Sequence, residues 1–91
     1  MRKILILHVN DNVAVALTDI SQGELISQDE YLFTAKDNIA RGHKLATRNI
    51  SINEGIIKYG ERMGHATSEI RTGEHVHVHN VLGDRLSSEV K

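Results

Sequence analysis

Residues 73–80 read Gly-Glu-His-Val-His-Val-His-Asn, and three of the chain's six histidines fall in this stretch. A β-strand sends alternate side chains to opposite faces. On a strand, His75, His77 and His79 form a row on one face, and Val76 and Val78 lie on the other. Neighbours in that row stand roughly 6 to 7 Å apart at a rise of about 3.3 Å per residue. Two imidazoles at that spacing can converge on one divalent metal or one anionic ligand, and neutral imidazole is a common metal ligand. A catalytic metal usually takes three protein ligands and keeps one position open. The stretch supplies His77 and His79, with His75 as a further member. An Asp or Glu from elsewhere, or from another chain, would complete the set. The bland alternative is a solvated histidine face on an edge strand, or imidazoles bonded to carbonyls at a subunit contact.

Two other clusters carry chemistry. Gly42-His43-Lys44 combines a residue that lets backbone approach a ligand, a side chain that moves protons near neutral pH and a cation for a carboxylate. Unaided, it reads first as an ordinary polar turn. Lys58-Tyr59-Gly60 offers a cation and a phenol. On a strand, Lys58 shares a face with Ile56 and Tyr59 with Ile57, and a lysine there often carries its ammonium out to solvent. Asp11-Asn12 reads as a turn rather than a ligand site. There is no phosphate-binding glycine loop, no nucleophile elbow and no cysteine, so disulfides, thiolate metal sites and cysteine nucleophiles are excluded.

The elements that must position these groups are short. Ile4–His8, Val13–Leu17, Tyr31–Thr34, Gly55–Gly60 and Glu74–Val81 read as strands, with turn signals between them. Val13, Val15 and Leu17 are expected on one face of their strand and the alanines on the other. Ala35–Ala40 has room for a single helical turn. The motif Asp19-Ile20-Ser21-Gln22-Gly23-Glu24 is echoed by Glu69-Ile70-Arg71-Thr72-Gly73-Glu74, with a looser copy over Asn49–Gly55. Each copy is an apolar anchor before a turn that places Gly beside Glu. The expectation is an all-β domain over residues 1–82, followed by a polar tail over 83–91. With 91 residues, net charge −1, one Phe, two Tyr and no Trp, the chain lacks the basic footprint and stacking surface of a nucleic-acid binder. No apolar run approaches the roughly 20 residues of a membrane span. The absence of cysteine fits a cytoplasmic setting.

Taken in order, Asp11–Leu17, Ala40–Ala46, Ile57–Gly60, Gly64-His65-Ala66 and Gly73–Val81 resemble the SAF domain of the altronate and galactarate dehydratases. The same small domain occurs as the small subunit of sulfolactate sulfo-lyase. The resemblance covers about residues 4–81 and implies a single β-clip domain. It also implies a place in a lyase that removes water from a sugar acid to give a 2-keto-3-deoxy acid. Such a lyase uses ferrous iron or another divalent metal and works with a larger catalytic chain or domain. His43, Lys44, Lys58 and Tyr59 carry over as candidate catalytic residues, His77 and His79 (with His75) as metal ligands, and Asn80 as a substrate contact. Three functions stay open: part of a hydro-lyase, inactive alone; the sulfo-lyase small subunit; or a non-catalytic binding or assembly module. A homo-oligomer is compatible with each.

Overall fold

A computed structural model describes residues 2–84, so the expected tail over 83–91 lies almost entirely outside the described residues. The described chain is all-β, as expected. Nine strands run in the order β1 (Ile4–Leu5), β2 (Val13–Ala16), β3 (Leu25–Gln28), β4 (Tyr31–Thr34), β5 (Lys44–Ala46), β6 (Gly55–Lys58), β7 (Glu61–Ala66), β8 (His75–Val76) and β9 (Val81–Leu82). A central antiparallel sheet has the order β1-β2-β5-β8, flanked by the hairpin β3-β4 and the sheet β6-β7-β9. Ala35–Ala40 forms bends and a bridge rather than a helical turn, because Ile39 pairs with Ile20 across the domain.

The central sheet is covered on both faces. Ala14, Ala16 and Leu45 pack with Ile4, Ile20, Ile26 and Ile39 in one core. Val13, Ala46 and Val76 pack with Ile50, Ile56 and Ile70 in a second. The small alanines of β2 therefore face a core of their own, and Leu17 ends up partly exposed beyond the strand.

The two cores repeat one pattern. Ala16, Ile20, Ile26, Ala35 and Ile39 correspond in order to Ala46, Ile50, Ile56, Ala66 and Ile70, with equal spacing except between the third and fourth members. There the second half is one residue longer, and the register shift between Ile56 and Ile57 absorbs it as a β-bulge. The hairpin β3-β4 in one half thus matches β6-β7 in the other.

The turn motif proves more regular than its sequence. In three copies a Glu donates its N–H to the carbonyl three residues back, and its Oε1 accepts that residue's N–H: Glu24 with Ser21, Glu54 with Ser51 and Glu74 with Arg71. The residue before each Glu has positive φ: Gly23 (89°), Asn53 (72°) and Gly73 (91°). In the looser copy Asn53, and not Gly55, takes the left-handed position, which Asn tolerates. A fourth copy, Asn38–His43, uses Gly42 (φ 87°) and closes with His43 N–H on the Ala40 carbonyl at 2.9 Å.

Two expected strands are cut short. Lys58 ends β6, and Tyr59 (φ 56°) with Gly60 (φ 77°) makes the two-residue hairpin turn. The strand expected over Glu74–Val81 stops at Val76. Asn80 bends the chain back there: its Oδ1 accepts the His77 N–H at 3.0 Å and its own N–H reaches the His77 carbonyl at 3.1 Å.

Candidate metal centre

The pairing of β5 with β8 brings the two histidine-bearing segments together. Leu45 lies opposite His75 and Lys44 opposite Val76. Cross-strand partners share a face, so His75 sits with Leu45 and Ala14, while Lys44 sits with Val76 and Val15. His43, two positions before Leu45, falls on the His75 side. Its Nδ1 stands 3.0 Å from His75 Nε2.

His77 completes a triangle. Its ring centroid is 5.0 Å from that of His43 and 5.4 Å from that of His75, nearly parallel to the latter at 11°. One ligating nitrogen from each of His43, His75 and His77 lies within 4.8 Å of the others. Around a tetrahedral ion with metal–nitrogen bonds of about 2.0 to 2.1 Å, ligand nitrogens stand about 3.4 Å apart. The His43–His75 pair is already near that spacing, and the widest pair would close by about 1.4 Å on loading. His43 and His75 are half-buried and His77 is exposed, which leaves the open side of the triangle toward solvent.

Of the residues singled out in the sequence, His75 and His77 thus meet His43, which the resemblance placed among catalytic groups. His79 lies outside the triangle but near it, its ring 5.4 Å from that of His75. A fully extended strand would hold residues four apart about 13 Å from each other. The turn closed by Asn80 accounts for the difference.

Asn80 is 6% exposed, and its side chain is engaged by the loop itself: Nδ2 donates to the His75 carbonyl at 2.9 Å while Oδ1 holds the His77 N–H. It fastens two of the three imidazole-bearing residues in place. Asn80→Ala leaves both backbone groups unpaired, and it is expected to cost about 2 kcal/mol. A urea melt checks this, and an unchanged midpoint would contradict it.

Electrostatics favours the unprotonated ring at His75. Burial lowers the His75 pKa, and the neighbouring His43, His79 and His77 lower it further, against a smaller upward pull from Asp37. Metal ligation needs the neutral ring. A histidine depressed in the folded state binds fewer protons there than in the unfolded chain, so folded stability falls with falling pH. The loss begins near the ordinary histidine value of about 6.5 and ends at the lower folded value. In metal-free buffer the melting temperature of wild type is expected to drop across this window. His75→Gln should drop less, and equal slopes would contradict the assignment.

On the other face, Lys44 lines an apolar groove of about 280 Å³ with His77, Ile56, Met63 and Val76. Burial lowers its pKa, and the nearby Lys58 charge adds to the effect. His77 borders both the triangle and this groove, so it links the two faces around the strand edge. Lys58 also places its ammonium 4.8 Å from the Tyr59 ring centroid. On the far side, His75 and His79 line a polar hollow of about 260 Å³ with Asp37, Glu69 and Glu74. An anionic ligand is therefore drawn to the lysine side and repelled from the other.

Two positioning features went unread in the sequence. Asp37 accepts the His75 backbone N–H at 2.9 Å. Asp11-Asn12, read as a turn, is buried and clamps the Lys58-Tyr59-Gly60 hairpin: Asp11 Oδ1 takes the Gly60 N–H, and Asn12 bonds Ile57 N–H and the Gly55 carbonyl. The signal available for them was only that short polar residues sit beside apolar anchors.

Comparison with known proteins bears on this arrangement. Residues 2–84 match the family model described as the altronate/galactarate dehydratase SAF domain. The chain is 45% identical over 80 residues to altronate dehydratase of Bacillus subtilis (strain 168), covering 88% of this chain and 16% of that protein. It is 45% identical over 74 residues to altronate dehydratase of Escherichia coli (strain K12), covering 81% of this chain and 15% of that one. It is 50% identical over 64 residues to (2R)-sulfolactate sulfo-lyase subunit alpha of Chromohalobacter salexigens, covering 69% of this chain and 68% of the subunit. The chain thus spans about one sixth of the altronate dehydratases it matches.

Proposed function

The chain belongs to the altronate/galactarate dehydratase SAF-domain family, and from that premise we propose that it serves as the small domain or small subunit of a sugar-acid hydro-lyase. The observation that carries this reading is the meeting of His43, His75 and His77 within 4.8 Å, beside a groove holding Lys44. Three imidazoles, one of them depressed in pKa, suit a divalent cation, and ferrous iron is the ion proposed. When bound, such an ion supplies Lewis acidity toward a departing hydroxyl oxygen.

This chain's own residues do the rest of its share. Lys44, short of solvent and pressed by Lys58, gains from an anionic partner and would bind the substrate carboxylate. The Tyr59 phenol, at the hairpin turn beside Lys58, offers a hydrogen bond to a sugar hydroxyl. His79 stands next to the triangle, where its imidazole can hydrogen-bond a substrate hydroxyl. Dehydration breaks the C–H bond beside the carboxylate and the C–O bond at the next carbon, releases water, and leaves an enol that becomes the 2-keto-3-deoxy acid. The base that removes the carbon-bound proton is assigned to the larger chain or domain.

The test is an assay of altronate and galactarate dehydration by the chain alone, by its larger partner and by both with ferrous iron. Activity confined to the pair, falling more than about a hundredfold in His77→Ala, supports the reading. A partner equally active alone overturns it. The 50% identity to a sulfo-lyase subunit, about two thirds of which the match covers, favours a second reading, in which sulfite leaves instead of water. Sulfite release from sulfolactate by the pair would select that one.

A further inference from the structure

Among the described residues four turns share one geometry, and His43 is the exception among them. In each, the last residue donates its N–H to the carbonyl three back, after a residue of positive φ. In three, that last residue is a Glu whose Oε1 also closes the turn: Glu24 on Ser21 N–H at 2.9 Å, Glu54 on Ser51 N–H at 2.9 Å, and Glu74 on Arg71 N–H at 2.8 Å. In the fourth the position holds His43. Its ring turns away to His75, and among the described residues no bond joins it to the Ala40 amide.

The backbone of this turn is otherwise supported like the rest. Ile39 and Ile20 exchange both backbone bonds at 2.8 Å, as Ile50 and Ile70 do at 2.7 and 2.8 Å. The residues before those isoleucines brace the facing turns: Asp19 holds Arg41 N–H, Asn38 holds Gln22 N–H and Asn49 holds Thr72 N–H. Gly42 has open space around it. The turn therefore needs nothing from an imidazole, and it has the geometry to take a closing carboxylate.

We infer that His43 is a ligand installed at a position the fold itself assigns to glutamate, so that its imidazole serves the site and not the stability of the domain. This rests on the metal reading of the same cluster. Its consequence is that folding and binding separate at one residue. Glu at position 43 has a competing bond to make, back to Ala40, and is thereby withdrawn from the ion. Gln offers the same carbonyl-type acceptor without a charge. At the corresponding position of the second half, Glu74 still closes its turn.

The experiment uses the purified chain with zinc as the probe ion. Melting temperatures are measured in zinc-free buffer, and zinc affinities by competition with a chromophoric chelator, for wild type, His43→Glu, His43→Gln and the control Glu54→Ala. His43→Glu gains the closing bond and gives up the His43–His75 hydrogen bond, so its zinc-free melting temperature is expected at or above the wild-type value, with His43→Gln below His43→Glu. Glu54→Ala, which only loses a closing bond, should lower it by about 4 to 8 °C. Zinc affinity is expected to fall at least about tenfold in both His43 variants and to stay at the wild-type level in Glu54→Ala. A zinc-free melting temperature lowered in both His43 variants would overturn the inference, as would wild-type zinc affinity in His43→Glu. Failure of the wild-type chain to take up zinc would instead overturn the metal reading, and the zinc-free comparison would still decide whether His43 serves the fold.

Discussion

Gly73→Ala is expected to leave most of the chain unfolded at 25 °C. Gly73 sits at φ +91°, and a Cβ there would stand 2.3 Å from the Thr34 carbonyl oxygen. That atom is backbone and cannot swing away. Gly73 is also fixed from both sides, with its N–H on the Ala46 carbonyl at 2.8 Å and its carbonyl taking the Lys36 N–H at 2.9 Å. Strain and clash together should cost more than about 4 kcal/mol. A domain of this size has little stability to spare. Gly23 provides the control, with φ +89° but no atom within 4 Å of its would-be Cβ. Gly23→Ala should cost only about 1 kcal/mol. Circular dichroism melts of the two variants check this, and similar midpoints would show that the backbone crowding at Gly73 is unimportant. The residue matters to the site as well, because it leads directly into Glu74 and His75.

The second large effect concerns the imidazoles themselves. His75→Ala is expected to weaken divalent-metal binding by the chain more than about a hundredfold, since it removes the central ligand. His79→Ala should weaken it less than about threefold, because His79 touches the triangle only through His75. Calorimetric titration of the two variants with Co²⁺ makes the comparison. Equal losses would mean that the ligand set includes His79, and equal retention would mean that the rings do not bind the ion.

The contrast between these two histidines marks where sequence reasoning reached its limit. Alternating His and Val read naturally as a strand, and on a strand His75, His77 and His79 are equivalent members of one row. The alternation holds as far as Val76. Beyond it the Asn80 side chain offers the backbone a turn that competes with strand pairing, and β8 has no further neighbour to hold it extended. A one-residue feature thus outweighs a five-residue pattern. The all-β class was legible because Ile4, Val13, Tyr31 and Gly55 each open an apolar run too short for a helix. Strands β3, β5 and β7 escaped notice for different reasons. Leu25-Ile26-Ser27-Gln28 is only half apolar, Lys44-Leu45-Ala46 is three residues long, and Glu61–Ala66 hides its period behind a bulge.

The candidate centre was half legible. That His43 belongs with His75 follows from the pairing of Leu45 with His75, a contact between residues 30 positions apart that no local pattern encodes. The resemblance to dehydratase SAF domains brought Gly42-His43-Lys44 and the histidine row into one constellation, and the family match bears out that family assignment. The full internal duplication was visible in principle, since Asn38-Ile39-Ala40-Arg41-Gly42-His43 stands in register with Asp19–Glu24. Its Glu-to-His exchange removes the Gly-Glu pair that marks Gly23-Glu24 and Gly73-Glu74.

The central claim is that His43, His75 and His77 hold one divalent ion. X-ray absorption at the metal edge of the purified chain, loaded with one equivalent of Fe²⁺ or Co²⁺ without oxygen, tests it most directly. The account predicts one bound ion per chain with three imidazole nitrogens in its first shell, falling to two in His43→Ala. A shell made of oxygen atoms alone, or one unchanged by that substitution, would contradict it.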